Sequence, residues 1–155
     1  MLKILFLGDP DSANTAAWIH GFERLGCEVR VASARPGDNP NIAPLGPDWL
    51  PARLRILFGT PSLKRVIDEF QPDVLIGYRV TSYGYLGAKS GFHPLVVAAQ
   101  NEQITYMRNP IYLVKKFLER CAKIAIKNAD LIHAWGDNIR QGLLRFGTDD
   151  DKILV

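Results

Sequence analysis

Three positions that follow predicted strands could bind a nucleotide. Gly8 comes after the first apolar run, and Ser33 and Arg35 come after the second. In dinucleotide-binding domains a Gly-x-Gly-x-x-Gly segment at the first position lets the backbone approach a pyrophosphate, and polar residues at the second can read the 2′-phosphate of NADP. Gly8 has no companion glycines here, so an NADP-linked reductase is the third-ranked of our functional hypotheses.

Other patterns that could do chemistry lack a required residue. A P-loop needs Gly-Lys-Ser/Thr, and the segment Gly87-Ala88-Lys89-Ser90 carries an intervening alanine. No Gly-x-Ser-x-Gly elbow for a nucleophilic serine is present. The histidines have no metal-ligand spacing; they are His20, His93 and His133. The sequence therefore predicts no metal site and no catalytic residue.

Charge is concentrated in residues 108–127, which hold six basic residues and one acid. The remaining residues hold 13 basic and 15 acidic side chains, so the formal net charge of +3 hides this segment. Apolar residues recur in it at three- and four-residue spacing and predict an amphipathic helix; they are Ile111, Val114, Leu118, Cys121 and Ala125. Its outer side is either a solvated face or a surface for an anionic substrate or membrane leaflet. The basic residues of that surface are Lys115, Lys116, Arg120, Lys123 and Lys127.

Length and composition predict one globular domain covering residues 1–155. At 47% hydrophobic and 23% charged residues, the chain is unlike intrinsically disordered proteins. Its apolar runs are far shorter than the roughly 20 residues of a spanning helix, and we interpret Lys3–Leu7 as a buried strand rather than a signal peptide. Two cysteines, Cys27 and Cys121, do not suggest a disulfide framework, so we expect a cytoplasmic protein, with peripheral contact to the inner membrane face as an option.

Buried apolar runs alternate with segments of helical period along the chain. This pattern predicts an α/β fold: a Rossmann-like, doubly wound parallel sheet with helices on both faces. The predicted strands are Lys3–Leu7, Glu28–Ala32, Asp73–Ile76, Leu95–Ala99 and Leu131–Trp135. Two helix exits also resemble each other, Gln71-Pro72-Asp73 and Asn128-Ala129-Asp130, which indicates a repeated βα unit.

Capping residues predict where several helices begin and end. Thr60 and Asp137 are predicted N-caps, and Asn109-Pro110 should start a long helix that ends near Lys127. Gly26 should end a helix in the left-handed conformation. The predicted inward residues of these helices are Trp18, Phe22, Leu25, Leu63, Val66, Ile67, Phe70, Ile139, Leu143 and Phe146.

Residues 34–51 hold five of the ten prolines and predict a long loop, of the kind often used as a lid or partner surface. A short helix over residues 52–58 should follow it.

The order of these features resembles the opening of glycosyltransferase family 4. The resemblance lies in several short segments: Lys3-Ile4-Leu5-Phe6-Leu7-Gly8-Asp9-Pro10, Thr15-Ala16-Ala17-Trp18, Leu25-Gly26-Cys27-Glu28-Val29, Phe70-Gln71-Pro72-Asp73-Val74-Leu75-Ile76, Tyr83-Gly84-Tyr85-Leu86-Gly87-Ala88, Gly91-Phe92-His93-Pro94-Leu95-Val96 and Ala129-Asp130-Leu131-Ile132. It covers nearly the whole chain through many individually weak positions.

This resemblance implies the N-terminal, acceptor-side domain of a two-domain transferase with the glycosyltransferase B architecture. The family transfers a sugar, here of the hexosyltransferase type, from a nucleotide diphosphate with retention of anomeric configuration and without a cofactor. A C-terminal domain, absent from this chain, grips the nucleotide-sugar donor, so we expect the chain to be inactive alone. Its acceptor would be a sugar, polysaccharide or lipid-linked molecule, and nucleic acid is not an expected partner.

Ligands of open parallel sheets bind in the crevice at the carboxyl ends of the strands. We therefore expect the loop from Gly8 to Asn14 to offer backbone donors to the diphosphate, and residues after the third and fourth strands to hold the acceptor. The predicted binding residues are Gly8, Asp11, Ser12, Asn14, Tyr78, Arg79, Tyr83, Gln100, Asn101 and Glu102.

Three of these positions depart from the family, in which a histidine often occurs: Asn14, Tyr78 and Gln100. None of the three can carry positive charge as imidazolium does. The second-ranked hypothesis is a Rossmann-like binding or scaffolding module without transfer chemistry.

Overall fold

The computed structural model describes residues 1–100 and 111–155. Within them, seven strands form a parallel sheet in the order β3-β2-β1-β4-β5-β6-β7, which confirms the predicted Rossmann-like α/β class. The strands are β1 (Lys3–Leu7), β2 (Glu28–Ser33), β3 (Ile42–Pro44), β4 (Val74–Tyr78), β5 (Leu95–Ala99), β6 (Leu131–Ala134) and β7 (Ile153–Leu154). The helices are α1 (Ala13–Arg24), α2 (Ala52–Phe58), α3 (Thr60–Phe70), α4 (Tyr85–Ser90), α5 (Tyr112–Asn128) and α6 (Asp137–Arg145).

The chain divides into two compact units, Met1–Ile76 and Gly77–Val155. In the first unit, β1 pairs with β2 from Lys3 opposite Glu28 to Leu7 opposite Ala32. Helix α1 presents Trp18 to Phe6, with ring centroids 6.1 Å apart. Gly26 follows this helix with a φ of 77°, as predicted, because glycine has no Cβ to oppose the left-handed conformation.

The proline-rich stretch is more ordered than its composition predicts. Strand β3 lies inside it and pairs with β2, from Val31 opposite Ile42 to Ser33 opposite Pro44. Beyond it, the Leu45 N–H donates to the Ser33 carbonyl at 2.8 Å. Proline is tolerated here because β3 forms the edge of the sheet, where a missing N–H breaks no ladder on the open side.

Two predicted helix starts were wrong by one residue. The N-cap of α3 is Gly59 rather than Thr60, and that of α6 is Gly136 rather than Asp137. Neither helix has a side-chain cap hydrogen bond. The inward prediction also failed at Leu25, which is 80% exposed because the helix ends before it.

The two similar helix exits use the same hydrogen-bonding arrangement. In the first unit, the Asp73 carboxylate accepts the Lys3 N–H at 2.7 Å, and the Asp73 N–H donates to the Lys3 carbonyl at 2.8 Å. In the second, the Asp130 carboxylate accepts the Leu95 N–H at 2.7 Å, and the Asp130 N–H donates to the Leu95 carbonyl at 2.9 Å. Each aspartate thus fixes the first residue of the neighbouring strand.

Candidate functional site

In the first unit, the loop between β1 and α1 is shaped by Gly8. A Cβ added there would lie 2.7 Å from Cε1 of Phe6 and 3.2 Å from Oγ1 of Thr15. Because Phe6 is fully buried and cannot move aside, only glycine fits. The Gly8 N–H donates to the Ala32 carbonyl at 3.2 Å, which fixes the loop beside the end of β2.

Helix α1 begins directly after this loop, and its first turn has the properties of an anion site. Ser12 is an extended N-cap that makes no side-chain cap hydrogen bond, and the first turn contains no acidic residue. The intrahelical ladder starts with the Ala16 N–H donating to the Ser12 carbonyl at 3.0 Å. The N–H groups of residues 13–15 come before this first hydrogen bond, and N–H groups at a helix N-terminus favour the binding of negative charge.

Thr15 supplies a second polar group. It was not predicted as a binding residue and occurs only in one of the segments that resemble the family. Its side chain is fully buried, and its Oγ1 has no hydrogen-bond partner among the described residues. Leaving a buried hydroxyl unpaired is unfavourable by about 1–3 kcal/mol, so such a group calls for an explanation. The predicted residues Asp11 and Asn14 are exposed on the same loop and first turn, and Ser12 is half-buried.

In the second unit, the residues that follow the third predicted strand do not form a loop. Gly77 and Tyr78 complete β4, and a π-helical turn (Arg79–Gly84) follows. Tyr78 and Tyr83 are 1% and 2% exposed, so their rings belong to the core. Of the residues predicted here, Arg79 is the one whose side chain is exposed.

The backbone at Arg79 is strained. Its φ of 68° is the left-handed region that disfavours residues with a Cβ, and it begins a π-helical turn. Both features concentrate at functional sites, where the surrounding structure maintains them. The guanidinium lies 5.6 Å from the ring centroid of Tyr78, which orients the cation at the carboxyl end of β4.

We expect Arg79→Gly to be more stable than Arg79→Ala by about 1 kcal/mol, because glycine relieves the left-handed strain and alanine keeps it. Both variants remove the guanidinium, so they are matched for any loss of ligand contact. Urea unfolding of the two proteins measures the difference, and equal midpoints at equal slopes would show that the φ of 68° stores no strain.

Gln100 and Trp135 lie together at the carboxyl ends of β5 and β6. Ala99 pairs with Ala134, and the Trp135 N–H donates to the Ala99 carbonyl at 3.1 Å. The Nε2 atom of Gln100 is buried and has no hydrogen-bond partner among the described residues. The indole of Trp135 is 42% exposed. Trp135 was predicted as the last residue of a strand and not as a candidate site residue. The predicted residues Asn101 and Glu102 lie outside the described residues.

The histidines and cysteines of the described residues do not form a metal centre. No group of three metal-ligating side chains occurs in residues 1–100 and 111–155. Burial lowers the pKa of His133 and raises the pKa of the Cys121 thiol, so both groups are neutral at pH 7. In the same residues, no helix is long and apolar enough to cross a membrane.

Comparison with known proteins identifies the class that this fold and site define. Residues 3–134 match the family model described as glycosyl transferase 4-like. The chain belongs to this family, which confirms the resemblance found in the sequence. No curated protein matches the chain significantly.

Solved structures share the fold at low sequence identity. The chain matches MnaA of S. aureus, solved with UDP, with a TM-score of 0.69, 19% identity, and coverage of 100% of this chain and 43% of that one. It matches a putative UDP-N-acetylglucosamine 2-epimerase from Listeria monocytogenes with a TM-score of 0.73, 16% identity, and coverage of 99% and 44%. It matches the lipopolysaccharide outer core galactosyltransferase WaaB with a TM-score of 0.65 and 20% identity, and the match covers 99% of this chain and 45% of WaaB. This chain thus spans less than half the length of these proteins.

Proposed function

We propose that this chain is the acceptor-side domain of a retaining, nucleotide-sugar-dependent glycosyltransferase of the hexosyltransferase type. Family membership and the span of less than half of each similar structure support this proposal. The observation that carries the site is the loop at Gly8, where first-turn amides and the buried Thr15 hydroxyl lie together. The donor-binding domain would be supplied outside these 155 residues.

The chemistry of this loop suits the departing diphosphate. Negative charge grows on the leaving phosphate as the glycosidic bond to the nucleotide breaks, and preorganised amides stabilise that charge. The amides of residues 13–15 and the Thr15 hydroxyl would donate to phosphate oxygens, while Gly8 lets the loop pack against Phe6 and Thr15. No cofactor beyond the donor substrate is required, and the free thiols Cys27 and Cys121 suit our proposed cytoplasmic location.

The acceptor would meet residues of the second unit. Arg79 offers a fixed cation with several donors, and Gln100 offers an amide that can pair with a sugar hydroxyl. The exposed indole of Trp135 adds an apolar platform beside Gln100, suited to the apolar face of a pyranose ring. The side chains of Tyr78 and Tyr83 are buried, so they would pack in the core beneath Arg79 and would not contact the acceptor.

Replacing Thr15 by valine tests the diphosphate site. We expect Thr15→Val to leave the free chain as stable or more stable by about 1 kcal/mol, because it removes a buried hydroxyl that has no partner among the described residues, at nearly constant volume. We expect it to weaken binding of inorganic pyrophosphate and UDP by about tenfold, the loss of one charge-assisted hydrogen bond. Both ligands are titrated at millimolar concentration against the ¹⁵N-labelled chain, following the amide resonances of residues 8–15.

Thr148→Val is the matched control, because Thr148 also has a buried Oγ1 without a partner among the described residues. It should reproduce the stability change without altering pyrophosphate binding. Failure of pyrophosphate and UDP to shift the resonances of residues 8–15 would instead favour a Rossmann-like binding or scaffolding module. Tight binding of NADPH would favour the reductase hypothesis, although the Ser33 hydroxyl is buried and accepts the Arg35 N–H at 2.9 Å.

A further inference from the structure

Helix α5 is unevenly buried along its length. Its C-terminal half packs into the second unit through Cys121, Ala122, Ala125 and Ile126. Residues 112–117, at its N-terminal end, are all exposed, although they include large apolar side chains. Ile111 and Val114, which the sequence predicted to face inward, are exposed because they lie N-terminal to the part of the helix that packs. Nothing in the periodicity of the sequence distinguishes the packed half from the exposed half.

The outward side of α5 carries a row of cations. Lys116, Arg120, Lys123 and Lys127 follow one another at spacings of four, three and four residues, so they share one face, opposite the buried residues. All four are exposed. Lys115 lies off this row, and its Nζ is 3.9 Å from Oε1 of Glu119. We call the four residues the cationic stripe.

Exposed apolar side chains continue the cationic stripe at its N-terminal end. Tyr112 and Leu113 occupy the same face one turn before Lys116, and they are 63% and 75% exposed. Phe117 flanks the stripe at 44% exposure. The Lys116 Nζ lies 4.6 Å from the ring centroid of Tyr112, so the first cation and the first aromatic ring form one unit.

We propose that the cationic stripe and the apolar residues 112, 113 and 117 dock this chain on an anionic lipid leaflet. The helix lies along the headgroups with its stripe paired to lipid phosphates, and Leu113 and Phe117 enter the acyl boundary. This arrangement is that of an interfacial amphipathic helix: a basic row at headgroup depth beside aromatic and aliphatic anchors. It goes beyond the proposed sugar transfer, since it concerns a surface remote in sequence from Gly8 and Thr15.

The apolar residues favour a lipid surface over a nucleic acid. A phosphate backbone would pair with the four cations but would leave Leu113 and Phe117 in water. A bilayer accommodates both, since burying apolar surface and neutralising the stripe act together. Each cation near an anionic leaflet raises partitioning by about fivefold, so the stripe gives strong selectivity for anionic over zwitterionic lipid.

Sedimentation with vesicles tests the proposal on the 155-residue chain. We expect binding to vesicles containing phosphatidylglycerol, little binding to pure phosphatidylcholine, and a decrease as salt rises. Lys116→Glu with Lys123→Glu should lower the partition coefficient at least about tenfold. Leu113→Ser with Phe117→Ser should lower it on the same vesicles without changing its salt dependence.

The control is Lys64→Glu with Arg65→Glu, which makes the same change in net charge on the exposed side of α3. Circular dichroism melts confirm that each variant is folded. Equal decreases in the partition coefficient for the stripe and control variants would show that binding depends only on net charge, which would overturn the proposal. So would absence of vesicle binding, or equally strong binding to single-stranded DNA that survives loss of Leu113 and Phe117. Pyrophosphate titration of the same proteins separates these outcomes from failure of the proposed function.

Discussion

Gly77→Ala should destabilise the protein by about 3 kcal/mol, because the structure leaves no room for the added methyl group. A Cβ at this position would lie 2.7 Å from Cα of Gly84, 2.8 Å from the Tyr83 carbonyl oxygen and 2.9 Å from the Gly84 amide nitrogen. All three atoms belong to backbone, so no side-chain rotation can relieve the overlap. Either β4 or the π-helical turn must move.

Two other glycines of the second unit calibrate this result. Gly84→Ala should be less damaging, because its Cβ would meet a methyl of Val97 at 2.9 Å and the Arg79 carbonyl oxygen at 3.0 Å. Gly136→Ala should be nearly neutral, because no heavy atom of the described residues lies within 4 Å of the added Cβ and the φ of 161° suits any residue. Urea unfolding followed by tryptophan fluorescence measures all three. Equal stabilities for the variants at 77 and 136 would show that the approach of β4 to the turn is not a packing constraint.

Asp130→Ala should destabilise the protein by about 2 kcal/mol at pH 7, because it removes the acceptor of a buried backbone N–H. The Asp130 Oδ2 atom accepts the Leu95 N–H at 2.7 Å and lies 2.7 Å from Nδ1 of His93. Leu95 is fully buried, so water cannot readily replace the carboxylate. His93→Ala should have a smaller effect, since the bond to Leu95 remains. Asp151→Ala, at an exposed carboxylate of the 3-10 turn Asp150–Lys152, is the control.

The same contact predicts a pH dependence. Burial raises the pKa of Asp130, but the hydrogen bonds from Leu95 and His93 and the charges of His93 and Lys152 outweigh it and hold the pKa below its usual value. A lowered pKa in the folded state adds stability above the unfolded-state value of about 3.9, and that stability is lost as the pH falls through the folded-state pKa. The difference between the wild-type chain and Asp130→Ala should therefore be full at pH 7 and shrink below about pH 4. A difference that grows on acidification would contradict this assignment.

Much of the fold could be predicted from local pattern. Strands β1 and β5 and helix α2 have the predicted bounds, and the similar helix exits at Asp73 and Asp130 proved to share one hydrogen-bonding arrangement. Buried parallel strands are continuous apolar runs, and α-helices repeat at 3.6 residues, so these elements are visible along the chain itself. Family membership could be predicted as well, since the resemblance lies in short segments along the chain.

The candidate site was predicted less completely. Sequence reasoning placed Gly8, Ser12 and Asn14 at a helix N-terminus, where α1 begins. It did not identify Thr15 or Trp135 as candidates, and it treated Tyr78 and Tyr83 as binding residues although their side chains are buried. A polar residue after a strand signals a position at the rim, but which way its side chain turns depends on neighbours distant in sequence.

The sequence by itself thus determined the alternation of buried strands and helices, the loop at Gly8 and the basic character of α5. Only the tertiary structure decided that Thr15 has a buried hydroxyl without a partner among the described residues, that Arg79 is strained, and that residues 112–117 of α5 lie exposed. The physical reason is that periodicity and capping are properties of neighbouring residues, whereas burial, close approach and strain arise from packing between segments far apart in the chain.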